Sequence, residues 1–268
     1  MKTNFTLKER FCLSRKDRIV SLLYPRVCPE CGEIISCAEQ KRTVNERNAN
    51  PFICKECYLR LCFPTEPRCI KCSRPVESDE QDLCDNCRKK QRYFDQGGAV
   101  VMHDEISRKI IYDLKYSNRR DNADMMAWET AKQCIEYIKF WKPELLIPVP
   151  LHPDRAFQRG FNQAEIFGRK LSKYLRNQGL ELPLEEHCLV RVKKTSAQKE
   201  LGAEQREKNL EGAFMVNPDF LQKDGKFPFC RVLLIDDIYT SGATLSECAR
   251  VLKQTGVEQV YFLTFSIG

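Results

Sequence analysis

The stretch Val232-Leu-Leu-Ile-Asp236-Asp237-Ile-Tyr-Thr240-Ser241-Gly242-Ala243-Thr244 decides how the rest of the chain is read. An apolar run of four residues predicts a buried strand. It ends in two adjacent carboxylates, a short hydroxyl-rich turn follows, and then a helix begins. In open α/β sheets ligands bind at the carboxyl ends of the strands, which is where this turn must sit.

Each part of the stretch has a physical job. The turn Thr240–Thr244 offers consecutive backbone N–H groups, three hydroxyls and the positive end of a helix dipole, a combination that holds a phosphate dianion. Gly242 lets the backbone approach closely where a Cβ would intrude. Asp236 and Asp237 only accept hydrogen bonds, so they pair with donor hydroxyls rather than with phosphate. A ribose 5-phosphate fits, with its phosphate in the turn and its 2′- and 3′-hydroxyls on the carboxylates. A capped helix start is the competing explanation, but capping needs one such residue rather than two acids followed by Thr-Ser-Gly-Ala-Thr. The chain has neither a Gly-x-x-x-x-Gly-Lys-Ser/Thr nor a Gly-x-Gly-x-x-Gly phosphate motif.

Outward from this stretch, Gly98–His103, Leu145–Val149, Phe214–Val216 and Val260–Phe265 are predicted as further strands. Between the first two lies a helix with Trp128, Ala131, Ile135 and Ile138 on one stripe. A second runs from about Asn162 to Arg176, with Ala164, Phe167, Leu171 and Tyr174 facing inward and Gly179 as its stop. A third covers Ala243 to about Gln254, with Gly256 beyond it. Strands alternating with helices predict a parallel α/β sheet. Residues Arg191 to Asn209 are polar and charged, a composition that suits a cover over an active site.

Residues 1–92 have a different character. Of the 15 cysteines, eight form four Cys-x-x-Cys pairs: Cys28/Cys31, Cys54/Cys57, Cys69/Cys72 and Cys84/Cys87. Each pair sets two sulfurs on one side of a tight knuckle. Two knuckles complete a tetrahedral four-sulfur site with no open position for water, so two structural zinc ions are expected. Which knuckles share an ion is left open by spacing alone. Disulfides are the alternative, but the chain shows no uninterrupted apolar stretch of a secretory signal, and a reducing cytoplasm is expected. Cys37 and Cys62 lie close enough to compete as ligands but lack the knuckle spacing. Ile19 to Tyr24 predicts an amphipathic turn of helix. The boundary between the zinc module, 1–92, and the α/β domain, 93–268, falls after the basic run Arg88-Lys89-Lys90-Gln91-Arg92.

The formal net charge of +7 invites a nucleic-acid reading. Eight thiolates outweigh two zinc ions, however, and so reduce the basic character of the front module. Arg42, Arg47, Lys55, Arg60, Arg68, Arg74, Arg88, Lys89, Lys90 and Arg92 are interleaved with Phe52, Tyr58, Phe63, Tyr93 and Phe94. Such interleaving can hold a single strand, although aromatic residues beside zinc knuckles more commonly pack the ribbon. No apolar run approaches the ~20 residues of a membrane-spanning helix.

The 232–244 stretch resembles the diphosphate-sugar signature of type I phosphoribosyltransferases, and three further features narrow the resemblance to the ComF family. One is Leu114-Lys115-Tyr116. Another is Ile147-Pro-Val-Pro-Leu-His152-Pro-Asp-Arg155 followed by Arg159-Gly-Phe-Asn162-Gln163. The last is Arg191, Thr195, Gln198, Leu201, Arg206, Asn209 and Phe214, all behind paired Cys-x-x-Cys knuckles. The resemblance covers nearly the whole chain from about Asp17. It implies a five-stranded parallel core flanked by helices, a flexible cover at Arg191–Asn209 and a link to competence and DNA uptake. It also implies binding of 5-phosphoribosyl 1-diphosphate with Mg2+ at Asp236, Asp237 and Thr240 to Thr244. The pyrophosphate loop would be Pro150, Leu151 and His152, with Lys115, Arg155, Arg159 and Arg191 as cations for the diphosphate. In such a transferase a nitrogen nucleophile displaces diphosphate from C1 through an oxocarbenium-like state that the carboxylates stabilise. No segment of the sequence selects an acceptor. Three readings follow: a phosphoribosyltransferase, a non-catalytic sensor of the sugar diphosphate that acts on single-stranded DNA or DNA-handling competence proteins, or a zinc-dependent interaction module.

Overall fold

The computed structural model describes residues 25–35, 50–193 and 210–268. Within them β1 (Gln96–Met102) and β2 (Leu145–Pro148) are followed by an antiparallel ribbon, β3 (Leu189–Arg191) with β4 (Phe214–Val216). Two long strands, β5 (Arg231–Tyr239) and β6 (Gln259–Ile267), complete a parallel sheet in the order β1-β6-β5-β2. The sheet corrects two expectations. Phe214–Val216 lies in the ribbon, not in the parallel core: its central Met215 is 39% exposed, whereas a central parallel strand is covered on both faces. The fifth position of the core is reduced to one bridge, Leu184 beside Leu146. There Leu146 donates to the Pro183 carbonyl at 2.8 Å and Glu185 donates to the Leu146 carbonyl at 3.0 Å. Pro183 has no N–H to carry the ladder further.

Two five-residue helices, α1 (Lys55–Leu59) and α2 (Asp85–Lys89), belong to the cysteine-rich segment. Five others are α3 (Glu105–Tyr116), α4 (Asn122–Trp141), α5 (Pro153–Arg159), α6 (Gln163–Asn177) and α7 (Ala243–Gln254). The predicted stripes on α4 and α6 are buried at all eight positions named above. Gly179 follows α6 at φ +77° and Gly256 follows α7 at φ +94°, left-handed positions at which a helix stops. A reciprocal cap starts α3: Ser107 N–H donates to Asp104 Oδ1 at 2.8 Å, and Asp104 N–H to Ser107 Oγ at 3.0 Å.

Side chains of β5 alternate between two apolar clusters, as a period of two requires. Leu233 and Ile235 join Ile110, Leu114, Met126 and Phe167 from α3, α4 and α6. Val232 and Leu234 join Leu245, Cys248 and Leu252 from α7. Both clusters continue into the cysteine-rich segment. Phe52, Ile53, Cys54 and Leu61 belong to the first, and Cys69, Cys72, Cys84 and Cys87 to the second. Phe52 meets Trp128 edge-on with centroids 6.1 Å apart, and Phe94 is fully buried. Tyr58 and Phe63 pack against the first cluster. Of the aromatic residues expected near the knuckles only Tyr93, at 39%, is substantially exposed, so they build the core rather than a stacking platform.

The cysteine-rich segment repeats one device twice. A hairpin knuckle is closed by an antiparallel bridge, Val27 with Ile34 or Arg68 with Pro75. Its turn ends at a left-handed residue, Gly32 at φ +77° or Ser73 at φ +62°. A helical knuckle follows in which the first cysteine, Cys54 or Cys84, is the N-cap residue.

A buried polar network ties the first of these units to α4. Glu129 is fully buried; it accepts from Asn50 Nδ2 at 3.1 Å, Tyr58 Oη at 3.1 Å and Gln133 Nε2 at 3.0 Å, and pairs with Lys132 at 3.4 Å. Glu129→Gln turns one acceptor into a donor facing donors. It is expected to cost about 1–3 kcal/mol, read as a lower urea midpoint with an unchanged slope.

Candidate functional site

The strand β5 runs through Asp236 and Asp237 to Tyr239, so the acids lie inside the strand and not at its end as the sequence suggested. Alternation then aims them apart. Asp237, 1% exposed, continues the face of Leu233 and Ile235, whereas Asp236 is half-buried. Lys115 from the last turn of α3 pairs with Asp237 Oδ2, and Gln163 Nε2 from the first turn of α6 donates to Oδ1 at 2.8 Å. Burial pushes the Asp237 carboxyl up, but the Lys115 ammonium and these hydrogen bonds hold it below the ordinary range. For Asp236, burial and the charge of Asp237 act together and raise its pKa well above the usual carboxylate value. The pair therefore ionises unequally. Asp236 Oδ1 also accepts from the Asp237 N–H at 2.9 Å.

Pairing of β2 with β5 in register Pro148 to Ile235 brings the loop after β2 beside the acids. Val149 donates to the Ile235 carbonyl at 2.9 Å. Pro150 is buried, and Leu151 and His152 are half-buried. His152 is the N-cap of α5, its Nδ1 accepting from the Asp154 N–H at 3.2 Å, so that nitrogen fixes the loop. Asn162 pins the other side of the loop, donating to the Val149 carbonyl at 3.0 Å while it caps α6.

The four candidate cations are not equivalent. Lys115 is on Asp237. Arg191, 8% exposed, lies 5.2 Å over the Phe214 ring. Burial and the neighbouring Arg155 lower its pKa, and Asp236 opposes them. Arg159 donates to Gln163 Oε1 and lies 5.1 Å over the Tyr116 ring, one step removed from the acids. Asn162 and Gln163 stood in the sequence reading only as part of the run Arg159-Gly-Phe-Asn162-Gln163, with no role assigned; the structure sets Asn162 on the Val149 carbonyl and Gln163 on Asp237. His103, just beyond β1, was not singled out from sequence; its Nδ1 is 3.1 Å from Ser266 Oγ and its pKa is lowered by burial and Arg108.

Past Tyr239 the chain turns at Gly242, φ +74°, into α7. By helical geometry the first amides of α7 have no acceptor within the helix and point out of its N-terminus. Thr240 is exposed, Ser241 and Thr244 are half-buried, and Gly242 and Ala243 are buried. The need for glycine has a different cause from the one expected. A Cβ there would stand 2.6 Å from Tyr239 Cζ, so the close approach is to Tyr239. Gly242→Ala is expected to cost more than the about 1–2 kcal/mol of a left-handed residue, measured as a fall in the chemical-denaturation midpoint.

The cysteines resolve into two groups in chain order, Cys28/Cys31/Cys54/Cys57 and Cys69/Cys72/Cys84/Cys87, with all sulfurs of a group within 4.8 Å. The Cys31–Cys54 and Cys72–Cys84 sulfurs are 3.8 and 3.6 Å apart. A tetrahedron with Zn–S of about 2.3 Å has edges of about 3.8 Å, so both groups fit zinc. Cys62 is exposed and outside both groups. Cys37, Arg42, Arg47, the 19–24 turn and most of the expected cover, 194–209, lie outside the described residues. No helix among the described residues is long and apolar enough to cross a membrane.

Fold and site together define an α/β protein with a polar site at the carboxyl edge of a parallel sheet and two four-cysteine centres packed on it. The chain is 31% identical over 214 residues to Competence protein F of Haemophilus influenzae, covering 78% of this chain and 87% of that protein. On that likeness it belongs to the competence protein F (ComF) family. It is 24% identical over 226 residues to DNA utilization protein YhgH of Escherichia coli K12, covering 78% and 94%. To Competence protein ComFC of Bacillus subtilis it is 24% identical over 212 residues, covering 76% and 79%. A crystal structure of purine phosphoribosyltransferase from Pyrococcus horikoshii covers 55% of this chain and 86% of its own, at 17% identity and a TM-score of 0.30, too loose a match to argue from. No protein-family model matches the chain.

Proposed function

We propose that the chain binds 5-phosphoribosyl 1-diphosphate with Mg2+ at the carboxyl edge of its sheet and serves DNA uptake, a reading supported by relatives named for competence and for DNA utilization. The observation that carries this reading is the unit from Asp236 to Thr244: an acid pair on the central strand β5, then a turn opening into α7. In this reading the amides and hydroxyls of Thr240, Ser241, Gly242, Ala243 and Thr244 take the 5′-phosphate. Asp236 and Asp237 take the ribose hydroxyls. Each Asp237 oxygen accepts one protein donor and has a lone pair to spare. Pro150, Leu151 and His152, with Lys115, Arg155, Arg159 and Arg191, surround the diphosphate. Mg2+, a hard cation, suits these carboxylate oxygens together with diphosphate oxygens and would neutralise charge there. Two zinc ions in the cysteine groups and a division into a module of residues 1–92 and a domain of residues 93–268, in the cytoplasm, complete the proposal.

Calorimetric titration of the wild type against Asp236→Asn with Asp237→Asn tests it. Saturable binding of the sugar diphosphate with Mg2+, lost in the double variant, is expected; absence of heat in the folded, zinc-replete wild type would sink the reading. Release of diphosphate with candidate nitrogen acceptors separates a transferase from a sensor. A gel shift with single-stranded DNA over a salt series tests direct contact with nucleic acid, since phosphate contacts weaken steeply with salt.

A further inference from the structure

The second cysteine group lies against the turn that follows Tyr239. Arg74, two residues after Cys72, donates from Nη2 to the Thr240 carbonyl at 3.0 Å and also bonds the Gly268 carbonyl. Asn86, between Cys84 and Cys87, donates from Nδ2 to the Ser241 carbonyl at 3.1 Å. The opposite end of that amide is oriented by Arg92, whose Nη2 is 2.9 Å from Asn86 Oδ1. The turn is wedged from below as well. Tyr239, 1% exposed, stacks on Phe262 at 5.1 Å and 8° and meets Phe94 edge-on, and its ring fills the space a Cβ at Gly242 would need. Ser73 Oγ donates to the Gly97 carbonyl at 2.6 Å, so the same knuckle is also tied to the start of β1.

A trans peptide sets its N–H opposite its C=O. The carbonyls of Thr240 and Ser241 share peptide planes with the N–H groups of Ser241 and Gly242. Once the carbonyls are drawn toward the knuckle, those two N–H groups must face the other way, toward the open side of the turn. Arg74 and Asn86 sit within two residues of cysteines whose positions a closed four-sulfur site fixes, so the backbone that carries both donors is anchored by that site.

We propose that Arg74 and Asn86 are positioning residues, through which the second four-cysteine centre aims the Ser241 and Gly242 amides at the 5′-phosphate of the ligand. This rests on the sugar-diphosphate reading above and adds to it a reason for the cysteine-rich segment to be packed on the α/β sheet. The metal-replete full chain would be titrated with 5-phosphoribosyl 1-diphosphate and Mg2+, with ribose 5-phosphate, and with inorganic diphosphate and Mg2+. The variants are Arg74→Ala, Arg74→Lys and Asn86→Asp. Asn86→Asp keeps the shape but removes the donor. Arg74→Ala and Asn86→Asp should each weaken ribose 5-phosphate and the sugar diphosphate about tenfold, the value of one hydrogen bond. Inorganic diphosphate affinity and the two zinc ions should be retained, and Arg74→Lys should recover most of the loss. Equal weakening of ribose 5-phosphate and diphosphate would mark a merely structural effect and overturn the proposal, as would variants that bind like the wild type. Were the wild type to bind no sugar phosphate, the functional reading would fail first. Amide hydrogen exchange of Ser241 and Gly242 in the free protein would then decide the positioning claim, with exchange unaltered by Asn86→Asp sinking it.

Discussion

Chelation of zinc from the purified chain is expected to abolish its cooperative unfolding transition, not to release a folded α/β remainder. Both apolar clusters run through the cysteine groups: Phe52, Ile53 and Leu61 pack with Met126 and Trp128, and Cys72 and Cys87 with Tyr239 and Phe262. Loss of both ions frees four knuckles whose polar backbone has little secondary structure of its own and strips one wall from each cluster. Structural zinc contributes about 10–16 kcal/mol in small knuckle peptides, while a whole domain is stable by about 5–15 kcal/mol. Scanning calorimetry with parallel metal analysis, before and after chelation, checks this against an expected two ions per chain. An apo chain that melts cooperatively at the holo midpoint would show that the α/β part stands alone.

Lys115→Met is expected to destabilise the chain by about 3–5 kcal/mol at neutral pH, the usual cost of leaving one partner of a buried ion pair unmatched. Asp237 has a side chain only 2% exposed, and after the substitution Gln163 is its remaining side-chain partner, apart from Asp236 beside it. The pH dependence follows from the direction of each shift. In the wild type Asp237 titrates below its unfolded value of about 3.9. Its contribution is therefore present above that pH and is lost as pH falls through the lower, folded value. Without Lys115, burial raises the same carboxyl, so stability is full below about pH 3.9 and falls as pH rises through the raised value. The deficit of the variant should therefore widen from mild acid to neutrality, which urea unfolding at two pH values reads directly. A deficit independent of pH would mean that Lys115 acts through packing of its stem alone.

Much of this architecture was legible in the chain. The stripe Trp128, Ala131, Ile135, Ile138 and the run Val232–Ile235 were readable because burial on a regular element imposes a period. Cys-x-x-Cys was readable because a tetrahedral metal demands sulfurs at short, fixed spacing. The turn at Thr240–Thr244 was legible because a glycine among small hydroxyl residues, between an apolar run and a helical stretch, marks a strand–helix junction. Where the chain misled, the cause was long-range. Phe214–Val216 looks like any short apolar strand, and only its partner, Leu189–Arg191, places it in a ribbon outside the sheet.

The sequence by itself determined that there is a parallel α/β part, that eight cysteines form four knuckles, and that an acid pair precedes a strand-to-helix turn, since each of these is a local pattern. Tertiary structure alone decided which knuckles share a centre, that Asp236 and Asp237 face different neighbours, and that Arg74 and Asn86 reach carbonyls 166 and 155 residues away. Such choices depend on which distant segments are brought within hydrogen-bonding reach, and no spacing along the chain encodes that distance.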